Sequence, residues 1–363
     1  MKLIELGWSA RWDSFSDRSV VRITAKHKSH LEALAPNGDR VNCYLKGAMQ
    51  YAAESSADLP VIGDWCAITP LFVDEMNHPA AMVEEILPRA NRISRIAAGP
   101  KVDEQVLAAN VDVAFIVTSV NADFNINRLR RFLLVATTGG VEPIIVFSKI
   151  DLAEGAAESA SPASLETWLA PVRESFPELK VIFTSAADRR GVEELQAQIG
   201  PGRTAVFLGT SGVGKSSLVN ALLGRTEQST GDIRDDDRGR HTTSGGKMFF
   251  VEGGGMIIDT AGLREIQVVG SDGDLEELMP AVAALAAKCK FSDCTHESEP
   301  ECAVRAAIEA GELTAGEMRQ YEKLLREMAY QRQRLDVNLR KESQRKWKVM
   351  NKGLRLRKKL EGR

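Results

Sequence analysis

The first hundred residues alternate apolar and polar positions in short runs. Residues 20–24, 41–45, 65–69 and 81–86 each read as strands, and turn signals fall between them: Pro-Asn-Gly-Asp at 36–39, Leu59-Pro60 and Gly63-Asp64. Short strands at close spacing predict a small β-barrel over residues 1–98. An OB-like barrel is expected there, although an SH3-like barrel would leave the same pattern. From residue 99 the period changes. Apolar runs VDVAFIV (111–117), PIIVF (143–147), KVIFTS (180–185), TAVFLG (204–209), KMFFV (247–251) and MIID (256–259) alternate with helical stretches. Continuous apolar strands between helices indicate an α/β domain with a largely parallel sheet, expected over 99–272. KMFFVEGGGMIID reads instead as a hairpin turning at Gly253, Gly254 and Gly255. Residues 153–164, rich in Ala, Ser and Glu, read as a surface loop. From 275 onward the chain is helical apart from one Cys/His cluster, so a third domain is expected over 273–363. No internal repeat of 20–50 residues is visible.

Composition narrows the class. The chain has 363 residues, 44% hydrophobic and 27% charged, as in ordinary soluble globular proteins. It has no apolar run of about 18 residues, and its opening, MKLIELGWSARWDSF, lacks a secretory apolar core. A cytoplasmic protein without a membrane partner is expected. The net charge of −3 hides an asymmetry: residues 319–363 hold 16 Lys+Arg against 5 Asp+Glu, leaving a strongly acidic body. A basic tail on an acidic body points to a polyanionic partner. Lysines and arginines at 340–348 and 352–359 would track phosphates, with Trp347 free to stack or pack. Arg89, Arg92 and Arg95 are a second candidate contact or an interdomain hinge.

The chemistry concentrates in a few motifs. Gly209-Thr210-Ser211-Gly212-Val213-Gly214-Lys215-Ser216 matches G-x-x-x-x-G-K-[ST] in full, between the strand TAVFL and the helix SSLVNALL. Backbone N–H groups of such a loop, continuing to Ser217, converge on phosphates; Lys215 reaches the β- and γ-phosphates and Ser216 ligates magnesium. Asp259-Thr-Ala-Gly262 follows the strand MIID, where an acidic residue holds the metal through water and the Gly262 N–H approaches the γ-phosphate. Between them, Gly239-Arg-His-Thr-Thr243 has the makings of a first switch, with Thr243 preferred over Thr242 as magnesium ligand.

A base-reading segment should follow the phosphate loop, yet downstream only Asn351-Lys-Gly-Leu354 comes near, without the acid. Upstream, Ser148-Lys149-Ile150-Asp151 directly follows the strand PIIVF. Asp151 there can accept from guanine N1–H and N2–H. KVIFTSA then supplies Thr184-Ser185-Ala186 for contact with the base's O6. All parts are present in rotated order, which amounts to a circular permutation.

The position after D-x-x-G is Leu263, which cannot orient a water. His241, in the switch loop, is the candidate catalytic residue; phosphate or RNA contact is its other reading. Cys289, Cys294, His296 and Cys302 supply three thiolates and an imidazole in 14 residues, a closed set suited to structural zinc. Cys43 and Cys66, in apolar contexts, read as free buried thiols.

The permuted order, the GRHTT loop and the Cys-x4-Cys-x-His-x5-Cys cluster together resemble the ribosome small-subunit-dependent GTPase A family of bacteria. The resemblance covers nearly the whole chain. It implies an OB barrel in front, a zinc domain behind, and a GTPase that binds the small ribosomal subunit and its rRNA late in maturation. The subunit would stimulate turnover, and the protein would leave after hydrolysis, acting as a monomer. By the same resemblance His241 is the family's proposed catalytic residue. The chain departs from the pattern at Ser148, where the family has Asn; GTP preference with weaker affinity is expected, since Asp151 is kept. Two other readings are a nucleotide-gated RNA-binding module with negligible turnover, favoured by Leu263, and a P-loop ATPase, opposed by Asp151 and GRHTT.

Overall fold

The computed structural model describes residues 2–53, 55–96, 104–121, 124–154, 162–224, 246–259, 270–291 and 294–335. These fall into two compact units, 1–95 with 105–266, and 96–104 with 267–363.

The first unit opens with two 3-10 turns, Leu3–Leu6 and Ala10–Phe15, and then a barrel. Its strands are β1 (Val20–Lys26), β2 (Leu31–Leu34), β3 (Arg40–Leu45), β4 (Trp65–Ile68), β5 (Phe72–Val73) and β6 (Pro79–Ile86), with the short helix α1 (Gly47–Ala52) after β3. The order β1-β2-β3-β6-β4 closes through pairing of β1 with β4; only β3 and β6 run parallel, and β5 is a short appendage on β6. This closed five-stranded order, with its one parallel pair, is the OB arrangement, so the SH3-like alternative falls away. Alternation explains the interior. Val21 and Ile23, Leu31 and Ala33, Val41 and Cys43, Cys66 and Ile68, and Ala81 and Val83 point inward two by two along five strands and fill the barrel. Both thiols are buried as expected, and burial pushes that of Cys43 up to about 12. The outer face of β1 is covered too: Val20 packs with Leu6, Trp12, Trp65 and Leu87 under the N-terminal turns.

A two-stranded ribbon follows, β7 (Arg92–Ile96) with β8 (Glu104–Ala109). The nucleotide domain then adds β9 (Val113–Ser119), α2 (Ile126–Thr138), β10 (Glu142–Ser148), α3 (Ile150–Glu154), α4 (Pro162–Ser175), β11 (Val181–Phe183), α5 (Val192–Ile199), β12 (Thr204–Leu208), α6 (Lys215–Leu223), β13 (Lys247–Phe250) and β14 (Met256–Asp259). Helices α3 and α4 take both ends of the expected loop at 153–164. Strands β11-β10-β9-β12-β14 are all parallel, and β13 is antiparallel to β14, joined to it by the glycine turn. Buried on both faces, these strands are apolar throughout: Phe115, Val146, Phe207 and Ile257 pack with Leu195, Leu218 and Leu222 of α5 and α6.

Order in the sheet carries the permutation. Within the nucleotide domain, β14 and β13, which follow β12 in the chain, lie on one side of it, and β9, β10 and β11, which precede it, lie on the other. Started at β12, the chain would be an ordinary doubly wound domain in which β9 follows β14.

The second unit holds α7 (Asp272–Leu278), α8 (Pro280–Ala286), α9 (Ala303–Glu309) and α10 (Ala315–Leu335). Ser271 and Asp274 form a capping box on α7, and Thr314 pairs with Glu317 at the start of α10. Leu275, Met279, Val282, Val304, Leu324 and Met328 are among its buried apolar residues, a small core for four helices. No helix among the described residues is long and apolar enough to cross a membrane.

Candidate functional site

Four segments reach one edge of the parallel sheet, the edge formed by the strands' carboxyl ends. In open α/β sheets this is where ligands bind. β12 delivers the phosphate loop, β14 ends on Asp259, β10 ends on Ser148, and β11 runs into Thr184.

The loop from Gly209 to Gly214 turns sharply out of a buried strand into α6. Gly209 is the point of closest approach: a Cβ there would stand 2.4 Å from the Val117 carbonyl oxygen, with φ at +151°. Gly214, N-cap of α6, sits at φ +96°, a conformation that costs glycine nothing. Lys215 Nζ donates to the carbonyls of Gly209 (2.9 Å) and Thr210 (2.6 Å), so the ammonium lies across the mouth of its own loop. Burial pushes the Asp259 carboxyl up and the Lys215 charge pulls it back, which places the metal-holding candidate within the field of the phosphate-reaching one.

Ser148 is buried, at 1% exposure. Its hydroxyl lies within hydrogen-bonding reach of the Val213 carbonyl in the phosphate loop and of the Thr118 carbonyl at the end of β9 (3.1 Å). Lys149, at φ +59°, carries its stem against Gly214, with Cε 3.7 Å from where a Cβ of that glycine would be. Asp151 lies in the first turn of the short helix α3. The second base-side segment is locked to the first: Ile150 N donates to Thr184 O (3.3 Å), and Thr184 donates through N (2.7 Å) and Oγ1 (3.1 Å) to Phe147 O. Ser185 N donates to Arg190 O, and Ala186 packs on the core. Distant in sequence, 148–151, 184–186 and 209–217 therefore form one continuous rim. His241, Thr242, Thr243, Gly262, Leu263 and the basic tail with Trp347 lie outside the described residues.

Cys289, Cys294, His296 and Cys302 bring their ligand atoms within 4.8 Å of one another. Cys289 Sγ and Cys302 Sγ are 3.9 Å apart, and each lies 3.5 Å from His296 Nδ1. No disulfide spans 3.9 Å. A tetrahedron with metal–sulfur bonds of about 2.3 Å and a metal–nitrogen bond of about 2.05 Å has edges near 3.8 and 3.6 Å. The observed separations match those edges. Cys302 is also the N-cap of α9, its Sγ accepting from Arg305 N at 3.4 Å, and His296 stands at φ +62° to turn its ring inward. The four residues can hold one metal ion with no position left for a substrate.

Two residues lay beyond sequence reasoning. Arg89, offered above as a second contact or an interdomain hinge, is committed internally: it binds the fully buried Asp64 through two nitrogens, each at 2.8 Å, and reaches the carbonyls of Ala57 and Leu59. Arg22, on β1, is 1% exposed; its guanidinium donates to Thr204 Oγ1 (2.9 Å) and the Asn110 carbonyl (3.0 Å), and to the Leu6 carbonyl. An arginine in VVRIT reads as solvent-facing, and only the covering of the barrel's outer face buries it.

Comparison with known proteins places the chain. A family model described as RsgA GTPase matches residues 86–269. The small ribosomal subunit biogenesis GTPase RsgA of Opitutus terrae is 37% identical over 376 aligned residues, covering 100% of both chains. The crystal structure of YjeQ from Thermotoga maritima superposes with a TM-score of 0.60 at 26% identity, covering 86% of this chain and 99% of that one. YloQ, described as a circularly permuted GTPase, is similar in fold, with a TM-score of 0.57 at 22% identity and cover of 87% and 97%.

Proposed function

The chain belongs to the RsgA GTPase family, and from that premise we propose how it works: it binds GTP across the rim formed by Ser148–Asp151, Ser185–Ala186 and the phosphate loop. It is a GTP-hydrolysing enzyme of small-subunit biogenesis. The observation that supports the binding mode best is the hydrogen bonding that ties Ser148 and Thr184 into one rim with Val213 and Phe147.

On this reading Asp151 accepts from guanine N1–H and N2–H. The backbone at Ser185 and Ala186 meets O6. Gly209, Thr210, Ser211, Gly212, Val213, Gly214, Lys215, Ser216 and Ser217 enclose the phosphates. Ser216 and Thr243, with Asp259 through water, would hold magnesium, which would supply neutralisation of the charge that develops on the phosphates. Gly262 N–H approaches the γ-phosphate. His241 positions the attacking water or takes its proton, a role that Leu263 cannot fill. Cys289, Cys294, His296 and Cys302 would hold zinc, which would supply folding energy to a unit with a small core of its own.

The protein acts in the cytoplasm as a monomer, contacts rRNA through its barrel and basic tail, is stimulated by the subunit, and leaves after hydrolysis. Binding to purified small subunits, compared with a non-hydrolysable GTP analogue and with GDP, tests this cycle. Tight binding with the analogue and weak binding with GDP is expected; equal binding in both states contradicts release on hydrolysis.

A further inference from the structure

The barrel and the nucleotide domain do not meet as two closed bodies. Strand β1 is shared between them. Ala25 of β1 is the register partner of Lys247 in β13, and Lys247 is the partner of Asp259 in β14. At about 4.8 Å per strand step, Ala25 stands roughly 10 Å from Asp259 along one row of the sheet. Just before β13, Gly246 has no room for a side chain: a Cβ would lie 2.2 Å from the Asp259 carbonyl oxygen and 3.2 Å from Ile62 Cδ1 of the barrel.

Three residues earlier, Arg22 fastens the other end of the same strand. It donates to Thr204 Oγ1 at 2.9 Å, and its second terminal nitrogen lies 3.4 Å from Met256 Sδ. Thr204 and Met256 are themselves register partners, the first residues of β12 and β14. From these roots the two strands run side by side to Gly209 and to Asp259. Arg22 thus grips the bases of the strand that carries the phosphate loop and the strand that carries the metal-holding acid. Its planar fork is spread over fixed acceptors, a geometry that resists sliding.

At its far end β1 leads into the loop 27–30, the first hairpin loop of the barrel. In OB barrels that loop helps grip nucleic acid. His27 and His30 stack there, with ring centroids 4.6 Å apart. Between Ile23 and Ala25 the pairing of β1 with β2 shifts register, a bulge that lets a strand bend locally.

We propose that β1 is the lever through which RNA held at the barrel's 27–30 loop sets Asp259 against the phosphate loop, with Arg22 as its fulcrum. Arg22 is a positioning residue: it touches neither nucleotide nor metal. The inference rests on the reading above that the subunit stimulates turnover. Load on the loop bends β1 at the bulge, the fixed grip at Thr204 and Met256 holds the strand roots, and the displacement falls on the row Ala25–Lys247–Asp259. By linkage, the nucleotide state must act back on RNA affinity through the same contacts.

The test uses Arg22→Lys and Thr204→Val in the full-length protein. Lysine keeps the charge but cannot span several fixed acceptors, and Thr204→Val removes one hydroxyl. GTP turnover is measured with and without purified small subunits, and subunit affinity with a GTP analogue and with GDP. The lever predicts basal turnover and GTP affinity within about twofold of the unaltered protein, stimulation reduced at least about tenfold, and a smaller GTP-to-GDP difference in subunit affinity. Full stimulation in the folded variants, or a parallel fall in basal and stimulated turnover, overturns it. If Arg22→Lys does not fold, Thr204→Val decides alone. An unaltered protein that the subunit fails to stimulate removes the reading on which the lever rests; stimulation that persists equally in the variants removes only the lever.

Discussion

The Ser148 hydroxyl reaches the carbonyl of Val213, so the end of β10 is fastened to the phosphate loop although the two lie 65 residues apart in the chain. From the sequence, weaker GTP affinity is expected of serine where the family carries Asn. In the fold, Ser148 makes the connection to the loop itself, within a buried setting.

Replacing Ser148 with Ala should therefore weaken nucleotide binding without changing the choice of base. Losing a buried hydrogen bond and leaving the carbonyl unpaired costs about 1–3 kcal/mol. Roughly tenfold weaker GTP binding corresponds to about 1.4 kcal/mol. Preference for GTP over ATP should survive, because Asp151 is untouched. Competition binding measures both quantities, and equal ATP and GTP affinity in the unaltered protein would contradict the assignment of Asp151.

Asp259 gives a prediction with a sign. Burial raises its carboxyl pKa in the folded, nucleotide-free protein, against the opposing Lys215. A raised folded-state pKa contributes stability that is fully present below the unfolded value of about 3.9 and is lost as pH rises through the folded value. Above its raised folded-state value the buried charge therefore works against the empty fold. Asp259→Asn should leave the nucleotide-free Tm at pH 7 equal to or above that of the unaltered protein, while the extra stabilisation by magnesium with GTP shrinks. Thermal unfolding from pH 4 to 8, with and without magnesium and GTP, checks both halves.

The Cys3His cluster should carry one zinc per chain after native purification, measured by elemental analysis. Stripping the metal, or substituting Cys294→Ser, should unfold the 270–335 helices selectively. Structural zinc sites in small peptides contribute about 10–16 kcal/mol, far more than the small core of this unit can replace. GTP binding should persist, because every described nucleotide-site residue belongs to the other unit. Loss of both together would show that the units do not fold separately.

Much of the site was legible because its parts are local. A phosphate loop is eight consecutive residues between a strand and a helix, and the base-reading acid follows its strand directly, so rotation of the order does not hide them. Strand β2 escaped notice because LEAL is four residues long with a charge inside it. The ribbon of β7 and β8 escaped because RISRI and EQVLAA mix polar and apolar positions without a clean period. The joining of barrel and nucleotide sheet through β1 and β13 is a pairing between residues 222 apart, Ala25 and Lys247. No local pattern encodes that contact. Arg22 is the clearest case: its neighbours predict a strand correctly, but what covers that strand's outer face comes from the N-terminal turns and from β12 and β14.

The central claim is that this chain is a permuted GTPase whose turnover answers to the small ribosomal subunit. GTP hydrolysis measured with and without purified small subunits, for the unaltered protein and for His241→Ala, tests it most directly. The account predicts slow turnover alone, marked acceleration by subunits, and loss of that acceleration in His241→Ala with nucleotide binding intact. Turnover that subunits leave unchanged would contradict it.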